Sequence, residues 1–405
     1  MVEVLVAVAI GTLIIGSAAG AIVLTLRINA QNRTVQTANL LSQELIDNAR
    51  SFSQAGWTNL YNVASKGPST NYYLVNATGA DFTVVTGKEG VPENEIRDGL
   101  VGQWKLDEAS GVNAYDSSGV GNNGTLTGSP VRTVSCFVSD CLTLSGTGQY
   151  VTIAPPSGFP TTAITVSAWV YLTGHINFDD LVANNFSAAG GWNLFADSGG
   201  NALFGVFNGV SQFNASGCAP SFTLNAWHHL LGTYDGTTVK VYLDGVQCTT
   251  TSALASQTLY TAGSVRMGDA DGTSASHRID DVKIYKRAVS AAEVTQTYNS
   301  RPFTRYLSVE NVNRDSGGSI VATGGTEDPS TQKVTATVSW SQFGGSPQIQ
   351  ASEFLTRSKN EITQFSNWNG GSGAEGPVTS PNTGYSSQTK IDASTTPGSI
   401  QIQVP

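Results

Sequence analysis

The chain has 405 residues, enough for two or three domains of ordinary size. Only 13% are charged, about half the usual share, and 44 are glycine; with recurring short runs of Val, Leu, Ile and aromatic residues, this excludes a disordered polymer and points to a β-rich protein with many turns. A net charge of −9 and a pI near 4.9 do not suit a nucleic-acid partner, which needs clustered Lys and Arg.

From Val4 to Leu26 run 23 residues without a charge, and Arg27 closes the run. As a helix it spans roughly 35 Å, sufficient for the apolar core of a bilayer. A signal peptide fits poorly, because only Met1, Val2 and Glu3 precede the run and none is basic. The helical pattern then continues without a break: Ile28, Val35, Ala38, Leu41, Leu45, Ala49 and Phe52 recur at three-, four- and seven-residue steps. One helix is predicted over 1–52, apolar all round over 4–26 and amphipathic over 27–52. Glu3, a carboxylate at the edge of a lipid-soluble segment, is either functional or an acid capping the helix at the membrane surface.

The segment MVEVLVAVAIGTLIIGSAAGAIVL is similar to the start of type IV pilins and pseudopilins. The resemblance implies residence in an inner membrane, then assembly through this helix with identical or related subunits into an extracellular filament. It makes Glu3 the family's glutamate, which pairs with the N-terminal amine of a neighbouring subunit. The family has four residues between its cleavage point and that glutamate; this chain has two, without the basic leader and Gly, so the expected mature start lies slightly upstream of Met1. Gly11, Gly16 and Gly20 each weaken the helix by about 1 kcal/mol relative to Ala. That suits the unwinding implied by the family, although the family's mid-helix Pro is absent.

Tyr72–Val75 and Asp81–Thr86 read as short strands separated by Asn-Ala-Thr-Gly. About two hundred residues later comes another strand, with Val334, Ala336, Val338 and Trp340 on one face and Thr335, Thr337 and Ser339 on the other. Thr304, Arg305 and the stretch from Lys333 to Trp340 resemble the head of bacterial minor or modular pilins. A head in two pieces is expected, 53–97 and 300–405, with the Gly-, Ser-, Thr- and Pro-rich tail from Ser366 wrapping it as irregular chain.

Between these pieces lies 98–299, which holds 8 basic and 15 acidic residues, a net charge of −7. Period-two alternation prevails, as in Val239, Val241 and Leu243 against Lys240, Tyr242 and Asp244, with Asp-Gly turns at 235–236 and 244–245. Many short strands with frequent turns imply an antiparallel sandwich. Gly102–Asp107, Asp116–Gly119, Trp227–His229, Asp235-Gly236, Tyr242–Gly245 and Ile279–Val282 resemble the laminin-G-like, concanavalin A-like jelly rolls. That family implies binding of a glycan or a protein, and often Ca²⁺. The expected fold class is therefore α+β: a long pilin helix on a small antiparallel head, carrying an inserted β-sandwich.

Asp280 shares a strand face with Val282 and Ile284, where an acid is costly unless it is paired or metal-bound. With Asp107, Asp116 and Asn122 it offers hard oxygen ligands for a structural Ca²⁺. Alternatively, Asp280 accepts backbone N–H bonds and the loop acids form turns. Asp269-Ala-Asp271-Gly272 reads as a plain turn, and His228, His229, Trp104, Trp169 and Trp227 read as strand or core residues. Trp192, in a Gly-rich stretch, is the candidate for stacking on a sugar. The four cysteines fit no zinc pattern, and in an exported protein an even count suggests disulfides. Cys136–Cys141 with Cys218–Cys248 is preferred among three pairings, which sequence alone does not fix.

Three functions compete: a pilus subunit displaying an adhesive module, a minor pseudopilin of a secretion system, and a membrane-anchored carbohydrate-active enzyme. The last needs two carboxylates flanking a cleft. Glu108 and Glu293 are the only glutamates of the module, and Asp179 and Asp180 point apart if they lie in a strand. No catalytic residue is therefore assigned.

Overall fold

The computed structural model describes residues 2–76, 82–93, 95–134, 136–146, 148–175, 179–185, 188–269, 275–300, 302–341, 346–357, 391–392 and 401–402; for 2–16, 27, 179, 391–392 and 401–402 it describes the backbone alone. Glu3, Asp271, Gly272 and the tail expected to wrap the head thus fall outside what can be compared, apart from two short backbone pieces of that tail. Helix α1 runs from Val2 to Ala55. Its second half packs by periodicity: Ala38, Ser42, Leu45, Ala49 and Phe52 are buried at alternating four- and three-residue steps, with Ile46 beside them. Among the described residues no helix is long and apolar enough to cross a membrane; the apolar run has described side chains only from residue 17 onward.

This half of α1 lies on a seven-stranded antiparallel sheet. The sheet runs in the order Thr83–Thr86, Tyr72–Val75, Pro302–Arg314, Thr326–Trp340 and Gln348–Thr356, with Glu89–Pro92 and Ile320–Val321 also paired to Pro302–Arg314. Leu45, Ile46, Ala49 and Phe52 meet Tyr72, Leu74, Leu307, Val309, Val334, Ala336 and Leu355. Ala38 meets Phe303, Val338 and Trp340 higher up. Each large apolar side chain so buried contributes about 1.5–3 kcal/mol. The alternation expected from Val334 to Trp340 is the observed one, because that face is the one α1 covers.

The chain leaves this sheet at Pro92 and rejoins it at Pro302, and these two residues face each other in an antiparallel pair. What lies between is a sandwich of two antiparallel sheets. One has nine strands, in the order Val246–Gln247, Thr238–Leu243, Trp227–Tyr234, Ile164–Leu172, His277–Tyr285, Cys141–Leu144 and Val131–Thr133, with Leu100–Trp104 and Ser252–Ala253 paired alongside. The other has eight: Gln212–Ala215, Ala202–Phe207, Trp192–Ala196, Asp179–Asn184, Val265–Gly268, Tyr150–Ile153, Gly124–Thr127 and Asn113–Ala114. Their inner faces share one core, including Trp104, Leu142, Val166, Trp192, Leu194, Phe204, Met267 and Ile284. Cysteines pair as Cys136–Cys141 and Cys218–Cys248.

A short helix, α3 (Ala291–Asn299; α2 is Trp57–Tyr61), closes the sandwich beside its entry. Ser290 and Glu293 form a capping box, and the Arg287 guanidinium grips both Glu293 oxygens while its Nε donates to the Asp98 carbonyl at 2.9 Å. Val294 of α3 packs on Leu231, Tyr242 and Tyr285, so α3 covers part of the outer face of the nine-stranded sheet. The loop closed by Cys136–Cys141 is wedged between sandwich and head. Phe137 stacks on Trp169 at 3.4 Å, and Val138 occupies the space a side chain at Gly90 would need.

Candidate functional site

Antiparallel partners share a face of a sheet. In the eight-stranded sheet one row of partners crosses every strand: Asn214, Gly205, Asn193, Ala183, Arg266, Thr152, Thr125 and Asn113. Their neighbours Trp192, Leu194, Phe204, Val206, Val265, Met267, Val151 and Ile153 point into the core, so this row points out. It contains a single long side chain, Arg266, between short polar or small ones. The floor is polar and knitted: Asn193 Nδ2 donates to Asp180 Oδ1 at 2.8 Å, and Gln212 Nε2 donates to Asn193 Oδ1 at 2.6 Å. Asn214 Oδ1 is buried without a hydrogen-bond partner, so an acceptor there is left for a ligand or water. Gly205 sits under all three amides, since a Cβ on it would collide with the side-chain ends of Asn214, Gln212 and Asn193. The other sheet's outer face is partly taken by α3 and the junction; along this row Ala183, Asn193 and Gly205 are buried, Asn214, Arg266 and Thr152 are half-buried, and Thr125 and Asn113 are exposed.

Trp192 is not on this face. It is 1% exposed and lies in the sandwich core, because the residue after Gly190-Gly191 begins a strand with its first side chain inward. The expectation that it stacks on a sugar is corrected. Trp104 is core as expected, whereas Trp227 is half-buried on the outer face of the nine-stranded sheet. His229 is fully buried there, with Nε2 2.9 Å from Ser167 Oγ; burial, then the Lys283 charge, lowers its pKa to about 4. His228 links Asp244 (Nδ1 to Oδ2, 2.8 Å) to Thr223 (Nε2 to Oγ1, 2.9 Å), and the bond to Asp244 raises its pKa.

The four side chains expected to hold calcium do not form one shell. Asp116 accepts from four backbone amides, those of Gln103, Ser118, Gly121 and Asn122. Asn122 is equally committed: its Nδ2 donates to the Val101 and Ser157 carbonyls and its Oδ1 accepts from Ser157 N. Both serve to fold their loop against the first strand, a correction to the ligand set. Asp107 and Asp280 are different. Asp107 accepts from Gly90 N at 2.6 Å and Asp140 N at 2.9 Å; Asp280 accepts from Val138 N at 2.8 Å through one oxygen, while its Oδ1 is buried without a partner. Burial raises both pKa values, the Asp280 charge raises Asp107 further, and Asp281 acts likewise on Asp280. Among the described residues no three His, Cys, Asp or Glu side chains cluster as a metal site.

The outward row escaped the sequence reading because attention went to acids, tryptophans and histidines. The signal was the alternation itself: Trp-Asn-Leu-Phe, Phe-Gly-Val-Phe and Gln-Phe-Asn-Ala place Asn193, Gly205, Gln212 and Asn214 outward, beside the outward Phe195 and Phe207.

Residues 145–295 match the family model Laminin_G_3, described as the concanavalin A-like lectin/glucanases superfamily. No curated protein matches the chain. Among solved structures, similarity is found to domain 4 of AbnA, a GH43 extracellular arabinanase from Geobacillus stearothermophilus in complex with arabinotriose, at 17% identity and TM-score 0.42 over 49% of this chain and 98% of that one. The receptor binding domain of a botulinum neurotoxin C/D mosaic serotype is similar at 11% identity and TM-score 0.42, over 60% and 71%. Scores below 0.5 are too low to bear on function. The match over residues 145–295 and the two packed antiparallel sheets agree: that stretch is concanavalin A-like, and the sandwich it belongs to also takes in the strands from Leu100 to Leu144.

Proposed function

We propose that the chain is a subunit of a type IV pilus-like filament that carries its sandwich outward as a glycan-binding module. One observation carries the filament part: α1 divides in two. Beyond the half packed on the head it continues as helix with Ile22, Val23, Leu24, Leu26 and Ile28 exposed, Leu24 and Leu26 by 59% and 62%. An apolar helical surface of this kind needs cover, and the inner membrane before assembly and equivalent helices of neighbouring copies after it supply that cover. The polar row across the eight-stranded sheet supports the binding part, since its amides and hydroxyls are the groups that pair with sugar hydroxyls. Binding without hydrolysis is supported by the commitments of the module's two glutamates, Glu108 to Arg132 and Glu293 to Arg287 and its capping box. For calcium, the proposal narrows to Asp107 and Asp280, where the orphaned Asp280 oxygen fits a cation.

Electron cryo-microscopy of native filaments tests this. The expected image is a helical repeat with α1 in the axis and sandwich density outside, lost in a Glu3→Ala strain. Filaments confined to the periplasm would instead favour the pseudopilin role. Chain found only in the membrane fraction would overturn the filament reading.

A further inference from the structure

We infer a second carbohydrate site, at the junction of sandwich and head, that takes an acidic sugar bearing a carboxylate. It lies off the polar row, on the outer face of the other sheet. There Arg278, Tyr171 and Trp227 are direct partners across three adjacent strands, so their side chains stand side by side. All three are half-buried rather than covered. The Arg278 guanidinium lies 5.0 Å from the Tyr171 ring centre, and the Tyr171 and Trp227 rings meet edge to face at 5.7 Å. Phe137 continues the ledge, 6.3 Å from Trp227.

Phe137 also lines a cleft of about 400 Å³ between the two bodies, with Trp340 and Lys88 on the head side. Clefts at domain boundaries are favoured places for small ligands. The wall is rich in serine and threonine hydroxyls, which serve a polyol as donor or acceptor.

Charge decides the class. Among the described residues Arg278 and Lys88 form no ion pair, whereas the buried cations Lys105, Lys283 and Arg305 each do, so both bring uncompensated positive charge to this junction. Each rests instead near a tyrosine ring, Lys88 5.2 Å from the centre of Tyr306. Asp140, a carboxylate on the cleft wall, is not free. A guanidinium beside an aromatic ring and without an ion-pair partner can offer its fork to a carboxylate, and the neighbouring indole offers an apolar plane for the sugar ring. Aromatic and arginine side chains together are also the residues that dominate binding energy at such surfaces.

The experiment uses the full chain and tetragalacturonate as the acidic probe, with maltotetraose as its neutral counterpart, by isothermal titration. Wild type is expected to bind the uronate and not the neutral sugar, more weakly as salt rises. Trp227→Ala and Arg278→Gln should each weaken binding about tenfold or more, while Gly205→Ala, in the other face, leaves it unchanged. Arg278→Gln sits at the surface and preserves the fold if Trp227→Ala does not. Absence of uronate binding, or binding insensitive to both variants, overturns this site without touching the polar row. Uronate binding lost in Gly205→Ala alone overturns it too and assigns the ligand to that row.

Discussion

Glu89 and Lys105 belong to opposite sides of the junction between head and sandwich, and their side chains meet at 2.7 Å, each less than a tenth exposed. The other Glu89 oxygen takes Arg305 Nε at 2.6 Å, and Glu44 of α1 lies 3.3 Å from the same guanidinium. Burial works against the Glu89 charge, but Arg305 and Lys105 more than offset it and hold its pKa at about 2. One chain of charges therefore joins helix, head sheet and module.

Replacing Glu89 by Gln leaves buried Lys105 without its counter-charge and Arg305 with the half-exposed Glu44 alone, a loss of about 3–5 kcal/mol. The expected result in calorimetry is that the melting of head and sandwich separates into two transitions. A single transition at the wild-type temperature would show that the junction is held by other contacts.

Gly205→Ala tests the polar row. The added methyl meets only the ends of flexible amide side chains, so the fold should tolerate it, while Asn193, Gln212 and Asn214 must turn away. Melting temperature should fall by only a few degrees, as the buried Asn193 bonds to Asp180 and Gln212 are disturbed, and affinity for a glycan bound along the row should fall about tenfold. Unchanged affinity would remove the row from the site.

His229 makes stability depend on pH. Its folded pKa of about 4 lies below the ordinary 6.5, so between these values the unfolded chain binds a proton that the folded one refuses. Its contribution is complete above pH 6.5 and is lost as pH falls towards 4, by about 3 kcal/mol in all. Lys283 lowers the value, and Asp281 and Asp244 oppose it; His228, with its raised pKa, acts in the other sense. The measurement is the difference between wild type and His229→Gln in urea melts at several pH values. The variant should lose less stability on acidification; parallel curves would refute the assignment.

Calcium removal is the fourth test. A chelator should lower the melting temperature of the wild-type chain and leave Asp280→Asn unmoved. No shift in wild type would mean that Asp107 and Asp280 hold a proton between them instead.

Legibility followed the kind of constraint. Alternation from Val334 to Trp340 and the three- and four-residue steps of α1 are one-dimensional signals, and both appear as packed faces. Tryptophans were harder, because burial depends on which of two faces a strand's first residue takes: Trp192 enters inward and Trp227 outward. Asp116 and Asn122 show why oxygen-rich loops mimic metal sites, since a turn that must satisfy its own amides uses the same residue types. Glu89 with Arg305 was out of reach, being 216 positions apart and joined only by the pairing of two strands.

That pairing has a further consequence. Because Pro92 and Pro302 face each other, everything between them hangs from the tip of what is otherwise an ordinary hairpin. If the proposed filament role holds, the insert can be exchanged in one genetic event, by cutting at the tip and sealing it with a two-residue turn, without altering the face that α1 packs on. The buried Glu89–Lys105 pair then fastens the insert to the sheet from which it hangs.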